Sequence, residues 1–159
     1  MKKGCKYVKD SQIEMTELVL PNDTNQLGNL LGGRLMHWMD IAAAVAAQRH
    51  TNRICVTAAV DQLSFHHPIK LGEIVRLKAS VNRAFNTSLE VGVKVIAENQ
   101  LTGEAKIANR AYFTFVALDE NHNKVEVCPI IPQTKEEKRR YKEALIRRKR
   151  RLELDKLSR

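Results

Sequence analysis

The 159-residue chain is long enough for one domain with a real core. No apolar run approaches the ~20 residues that cross a bilayer, and no apolar stretch follows the basic start MKKGCKYVKD. Neither a membrane span nor a secretory signal is therefore expected, and the cytoplasm is the expected compartment. The net charge of +9 says little about the body of the chain, because residues 135–159 hold 12 Lys and Arg against 5 Asp and Glu. That basic tail has two readings, attraction of a polyanion or a solvated helix.

Cys5, Cys55 and Cys128 are odd in number and far apart, without C-x-x-C spacing, so neither a disulfide framework nor a zinc site is indicated. Residues 11–20 alternate Ile13, Met15 and Val19 with polar neighbours, which predicts a strand at an edge or covering position. Pro21, Asn22 and Asp23 form a turn. From Leu31, the residues Leu35, Trp38, Met39, Ala42, Val45 and Ala46 recur at steps of three and four, which predicts one long helix ending near 50–52.

Ile54 to Phe65 is rich in β-branched residues and reads as a long strand stopped by His66-His67-Pro68. Further strands follow over Ile74–Ala84, Ser88–Glu98 and Ala105–Leu118, joined by hairpin-length turns at 86–87 and 99–103. From Gln133 the composition is helical, with Tyr141, Leu145 and Leu152 tracing a broken apolar stripe beside Ala144. This order predicts an α+β fold, an antiparallel sheet wrapped round one long central helix, with a C-terminal helix. Residues 1–134 form the domain and 135–159 a basic helical extension. A sheet with uncovered edges predicts a homo-oligomer.

Asp40 stands out because an acid flanked by Trp38, Met39 and Ile41 is expensive to bury without a purpose. It is either a general base or nucleophile in a partly dry cleft, or an acid on the exposed stripe of the helix. Asn25 either orients a water or carbonyl or shapes the turn; Asn29 is a capping residue. Gly32 and Gly33 either aim free N–H groups at a carbonyl oxygen or permit a tight helix entry. His37, His66 and His67 are given structural or surface roles, and the apolar surroundings of Cys55 and Cys128 favour inert thiols.

The runs NQLGNLLGGRLMHWMD, ICVTAAVDQLSFHHPIKLGE and ANRAYFTFVALDE strongly resemble the hotdog-fold acyl-coenzyme A thioesterases, both bacterial single-domain hydrolases and the two-domain cytosolic enzymes of animals. The likeness covers roughly residues 10–135. It implies dimers with a continuous sheet, often assembled as a trimer of dimers, with the site at the dimer interface. There the positions of Asn25 and Asp40 act together, one from each chain.

A thioester carbonyl would meet the N–H groups near Gly32 and Gly33. Arg83, Asn86, Thr87, Ser88 and Arg110 would meet the phosphates of coenzyme A, and Val56, Thr57, Ala58 and Val60 would wall the pantetheine arm. Packing around Phe65 and Trp38 would set the depth of the acyl tunnel. The resemblance implies hydrolysis of acyl-CoA to a fatty acid and coenzyme A, with no metal and no cofactor, coenzyme A being bound only as part of substrate and product. No nucleic-acid partner is expected. Two alternatives are another hotdog enzyme, a hydratase or dehydratase, and a non-enzymatic module that senses acyl-CoA or nucleotide or binds nucleic acid.

Overall fold

The computed structural model describes residues 4–159. After a short strand β1 (Lys6–Tyr7) come β2 (Ile13–Leu18), the long helix α1 (Gly32–Thr51), β3 (Ile54–Asp61), β4 (Ile74–Ala84), β5 (Ser88–Glu98), β6 (Ala105–Leu118), a short β7 (Ile130–Ile131) and α2 (Lys135–Leu157). Strands β4, β5 and β6 have the predicted bounds. The sheet order is β2-β4-β5-β6-β3, every pairing antiparallel, so β2 and β3 are its edges. This is the expected antiparallel sheet round one long helix, the hotdog fold that the resemblance implies.

α1 packs against β3, β4 and β5. It can come close because the side it presents is thin: Ala42, Ala43, Ala46 and Ala47 are wholly buried, with Met39 beside them. They join one cluster with Leu77, Leu89, Val91, Val95, Phe113 and Phe115, the alternating inward residues of the central strands. The helix stops at Asn52, which takes the left-handed conformation (φ 52°).

Two expectations change. The strand expected to run to Phe65 ends at Asp61. Gln62 turns left-handed (φ 57°), and Arg151 of α2 holds the Asp61 carboxylate at 2.7 Å, so the chain leaves the sheet there. The basic tail is not a freely solvated helix. A reciprocal capping box between Thr134 and Glu137 starts α2, which then packs on β4. The expected apolar stripe does not make this contact alone, since Leu152 is exposed. The buried residues of α2 are Ala144 and Arg147.

Arg147 meets Glu90 of β5 at 2.7 Å, and its guanidinium lies 3.5 Å from the centre of the Tyr112 ring. Asn82 adds a further donor to Glu90, at 3.0 Å. Gly92 makes room for that amide: a Cβ there would sit 2.8 Å from Asn82 Nδ2. A parallel pairing of β1 with β7, not foreseen in the sequence, ties the N-terminal segment to the stretch before α2.

Candidate active site

Asp40 lies half-buried on α1, and its Oδ1 accepts a 2.6 Å hydrogen bond from the Thr57 hydroxyl on β3. The strand is irregular at this point. Thr57 pairs with Phe115 and Ala59 with Thr114, so Ala58 is an extra, bulged residue. Bulges of this kind re-aim neighbouring side chains. Val56, Thr57 and Ala58 are all exposed on this edge strand, and Val60 is half-buried.

Asn25 sits in a tight loop. Its backbone N–H donates to Asn29 C=O (2.9 Å), and Gly28, at φ 74°, donates back to Asn25 C=O (3.0 Å). The side-chain Oδ1 accepts from Leu27 and Asn29 N–H groups (3.0 and 3.2 Å). With its oxygen committed to the backbone, the side chain can offer only its Nδ2 protons to a ligand. The loop is tied down by Leu31 N–H to Asp23 C=O (2.9 Å), and Asp23 also pairs with Arg34 at 3.2 Å.

α1 then begins without a side-chain cap, and its first backbone bond runs from Leu35 N–H to Leu31 C=O. The N–H groups of Gly32, Gly33 and Arg34 therefore have no helical partner, and the helix field there favours negative charge. The Phe65 ring rests over Gly32, whose added Cβ would come within 3.3 Å of it.

Asn25, Gly32 and Phe65 line one cavity of about 360 Å³, with Leu35, Ala108 and Asn109 among its other walls. His66 and His67 also line it and are exposed, in keeping with the structural or surface role expected for them. Asp40 and Thr57 are not among the residues that line this cavity.

The residues expected around the phosphates are dispersed. Arg83 donates to Tyr141 C=O (3.2 Å) and lies 4.0 Å from the centre of that ring, held by α2. Asn86 and Thr87 lie in the β4–β5 turn and Ser88 opens β5; the carbonyls of Asn86 and Thr87 accept from Val127 and Ala117. Arg110 lies elsewhere, in a groove of about 540 Å³ on the outer face with Lys78, Lys94, Arg139 and Arg140.

Burial pushes the Cys55 thiol up from its ordinary value, and the Thr51 contact only partly opposes this, which suits an inert thiol. Among the described residues no cluster of three His, Cys, Asp or Glu is arranged for a metal.

Sequence reasoning missed Ala108 and Asn109. Both are buried although adjacent on β6, because Val95 pairs with Asn109 and Ile96 with Ile107, leaving Ala108 as a bulge. The signal available was an amide inside an otherwise alternating strand.

The family model described as the thioesterase superfamily matches residues 27–104. An uncharacterized acyl-CoA thioester hydrolase of Bacillus subtilis, YkhA, is 41% identical over 132 residues, covering 83% of this chain and 77% of that protein. The chain belongs to the thioesterase superfamily.

Among animal thioesterases of this superfamily, acyl-coenzyme A thioesterase 11 of mouse is 41% identical over 152 residues, 96% of this chain. The chain spans only about a quarter of that relative's length (25%). A hexameric acyl-CoA thioesterase superimposes with TM-score 0.90 at 37% identity, covering 94% of this chain and 97% of the other. The acyl-CoA hydrolase of Staphylococcus aureus, solved with butyryl coenzyme A, coenzyme A and coenzyme A disulfide, gives TM-score 0.89 at 33% identity, covering 98% and 96%. That enzyme has also been solved with single alanine substitutions of an aspartate, an asparagine and a threonine.

Proposed function

We propose that this protein hydrolyses acyl-CoA thioesters to a carboxylic acid and coenzyme A, in sites shared between two copies of the chain. Asp40, oriented by Thr57, comes from one copy. Asn25 and the start of α1 come from the other. The observation that carries this reading is the Asp40–Thr57 hydrogen bond on an exposed edge strand, with neither residue lining the cavity that holds Asn25.

A second copy pairing along β3 would bring the two halves together and would cover the open edge. The hexameric relative supports assembly as a trimer of such dimers. The three residues replaced by alanine in the S. aureus enzyme match Asn25, Asp40 and Thr57 in type and in spacing along the chain. That agreement supports their roles here.

In this reading the thioester carbonyl lies at the start of α1. The unpartnered N–H groups of Gly32 and Gly33 receive the negative charge that develops on its oxygen. Asp40 takes a proton from water as the water oxygen bonds to the carbonyl carbon, and returns it to the sulfur as the C–S bond breaks. In the alternative course the carboxylate attacks first and the C–S bond breaks to expel the coenzyme A thiolate; water then cleaves the resulting anhydride, restoring the Asp40 carboxylate, and the proton released ends on the thiolate. Asn25 Nδ2 holds the water or the carbonyl.

Val56, Thr57, Ala58 and Val60 line the approach of the pantetheine arm. Arg83, Asn86, Thr87 and Ser88, at the end of the β4–β5 hairpin, serve the phosphate end, whereas Arg110 lies in the separate groove. Arg83 must give up its contact with Tyr141 to do so. The domain of residues 1–134 carries this chemistry, and 135–159 braces the sheet from outside.

The test is a panel of acyl-CoAs of increasing chain length, with released thiol titrated by a thiol reagent. Thiol release is expected, with a preference that reports the depth of the tunnel. No release across the panel would overturn the reading.

A further inference from the structure

Three cations stand side by side on the outer face of the sheet. Lys78 on β4 is paired with Lys94 on β5, and Lys94 with Arg110 on β6. Residues directly opposite on neighbouring strands hold their Cβ atoms about 5 Å apart, and like charges so placed destabilise a sheet. The row therefore costs stability that three scattered surface cations would not.

The row lines the 540 Å³ groove, whose other wall is the start of α2 with Arg139 and Arg140. Two carboxylates line the groove with these five cations, and each is already divided. Glu14 is shared by Arg76 (3.7 Å) and Lys78 (3.9 Å). Glu136 is shared by Arg139 and Arg140, and Arg139 also meets Glu143 at 2.7 Å. Lys94 and Arg110 have no carboxylate partner among the described residues.

These side chains are open to a ligand. That of Lys78 is 48% exposed and that of Arg139 47%, Arg110 is exposed, and Lys94 between its neighbours is half-buried. In the next row along the strands Ser80 is paired with Gly92, so a hydroxyl and bare backbone floor the groove beside Lys94. A concave site walled by charges of one sign concentrates their potential.

We propose that this groove is an anion site, separate from the acyl-CoA site, that binds a linear chain of phosphates lying across the three strands. Two strand spacings make the row Lys78–Lys94–Arg110 about 10 Å long. Arg110 can hold two oxygens of one phosphate, and the lysines act as point charges along the rest. Nothing in the groove is built for a base. Tyr112 is the one aromatic residue among those lining it, and the Arg147 guanidinium already lies 3.5 Å from the centre of its ring. The phosphates themselves are what is recognised, whether free or carried on a nucleotide. The inference stands independently of the hydrolase reading.

The test titrates inorganic tripolyphosphate into the full chain at low salt by calorimetry. One binding event per chain is expected in the groove, weakening as salt is added. Lys94→Gln with Arg110→Gln should weaken it by about tenfold or more. Two controls should each change it by less than about twofold: Lys149→Gln with Arg150→Gln, which removes the same charge from exposed positions of α2, and Arg83→Gln, at the phosphate end of the acyl-CoA site. ATP should bind about as tightly as tripolyphosphate.

No binding of tripolyphosphate at low salt overturns the inference, as does binding that the groove variant leaves unchanged. Equal weakening by Lys149→Gln with Arg150→Gln would show attraction by net charge alone, and equal weakening by Arg83→Gln would show binding at the acyl-CoA site; either overturns it. ATP binding about tenfold tighter than tripolyphosphate would overturn recognition of the phosphates alone. Should the double groove variant not fold by circular dichroism, an affinity unchanged in Lys94→Gln overturns the inference equally.

Discussion

Thr57 donates to Asp40 across the gap between β3 and α1, a 2.6 Å contact that links the edge of the sheet to the acid in the middle of the helix. The bulge at Ala58 lets a residue of the edge strand reach that acid. The carboxylate thus has a fixed orientation before any substrate arrives.

If Asp40 moves the proton, Asp40→Asn should lower kcat by about 10²–10⁴. Thr57→Ala should cost less, about tenfold, because the carboxylate remains but its orientation is lost. Both should leave the oligomer intact by size-exclusion chromatography. Thiol release followed under saturating acyl-CoA gives the answer, and wild-type turnover by Asp40→Asn would remove Asp40 from the mechanism.

The proposed sharing of Asn25 and Asp40 between two copies leads to a complementation experiment. Asn25→Ala and Asp40→Ala are each expected to be nearly inactive. Unfolded together and refolded as a mixture, they should form mixed dimers in which one site carries both lesions and the other carries none. Activity should rise to roughly a quarter of wild type for random pairing. No recovery, with mixed dimers shown by mass, would mean that each site is built within one chain.

Glu90 and Arg147 are both buried, and a pair in that state is more costly to break than to replace. Burial works against the charge on Arg147, but the hydrogen bonds and charge of Glu90 outweigh it and hold its pKa up. Glu90→Ala should destabilise by about 3–5 kcal/mol, read from the urea unfolding midpoint. The double change Glu90→Leu with Arg147→Met should recover most of that loss. A double variant as unstable as the single would show that Glu90 acts through Asn82 instead.

His50 supplies a pH dependence. It is wholly buried at the end of α1, with Nε2 2.7 Å from the Cys128 carbonyl, to which it donates. Burial lowers its pKa below the ordinary 6.5, and Lys6 acts in the same direction, while the bond to Cys128 and the charge of Asp10 oppose it. The unfolded chain therefore binds a proton at higher pH than the folded one. Stability from this group is full above about pH 6.5 and falls as the pH drops towards the folded value. His50→Gln keeps a donor for Cys128 but does not titrate, so its unfolding midpoint should depend less on pH across that window. A slope identical to wild type would assign the acid sensitivity to other groups.

The bounds of β4, β5 and β6 were legible because each is a run of largely alternating residues between turn residues, although the bulge at Ala108 was not. Leu89, Val91, Val93 and Val95 face inward for no other reason than a period of two. α1 was legible for the matching reason, a period of three to four with alanines on the buried side. The end of β3 was not legible: the strand ends at Asp61, where Gln62 turns left-handed and Arg151 from the far end of the chain pairs with Asp61.

The sequence by itself therefore determined the elements, their order and the sheet round the helix, since periodicity and turn chemistry are local properties. It also singled out Asn25, Asp40, Gly32 and Gly33, because an acid among apolar residues and glycines at a helix start are local anomalies. Only the tertiary structure decided what these residues meet. It set Thr57 on Asp40, Phe65 over Gly32 and Arg147 on Glu90. Each of these contacts joins distant positions through a bulge or a docked helix, and no local pattern encodes which side chain the fold brings opposite.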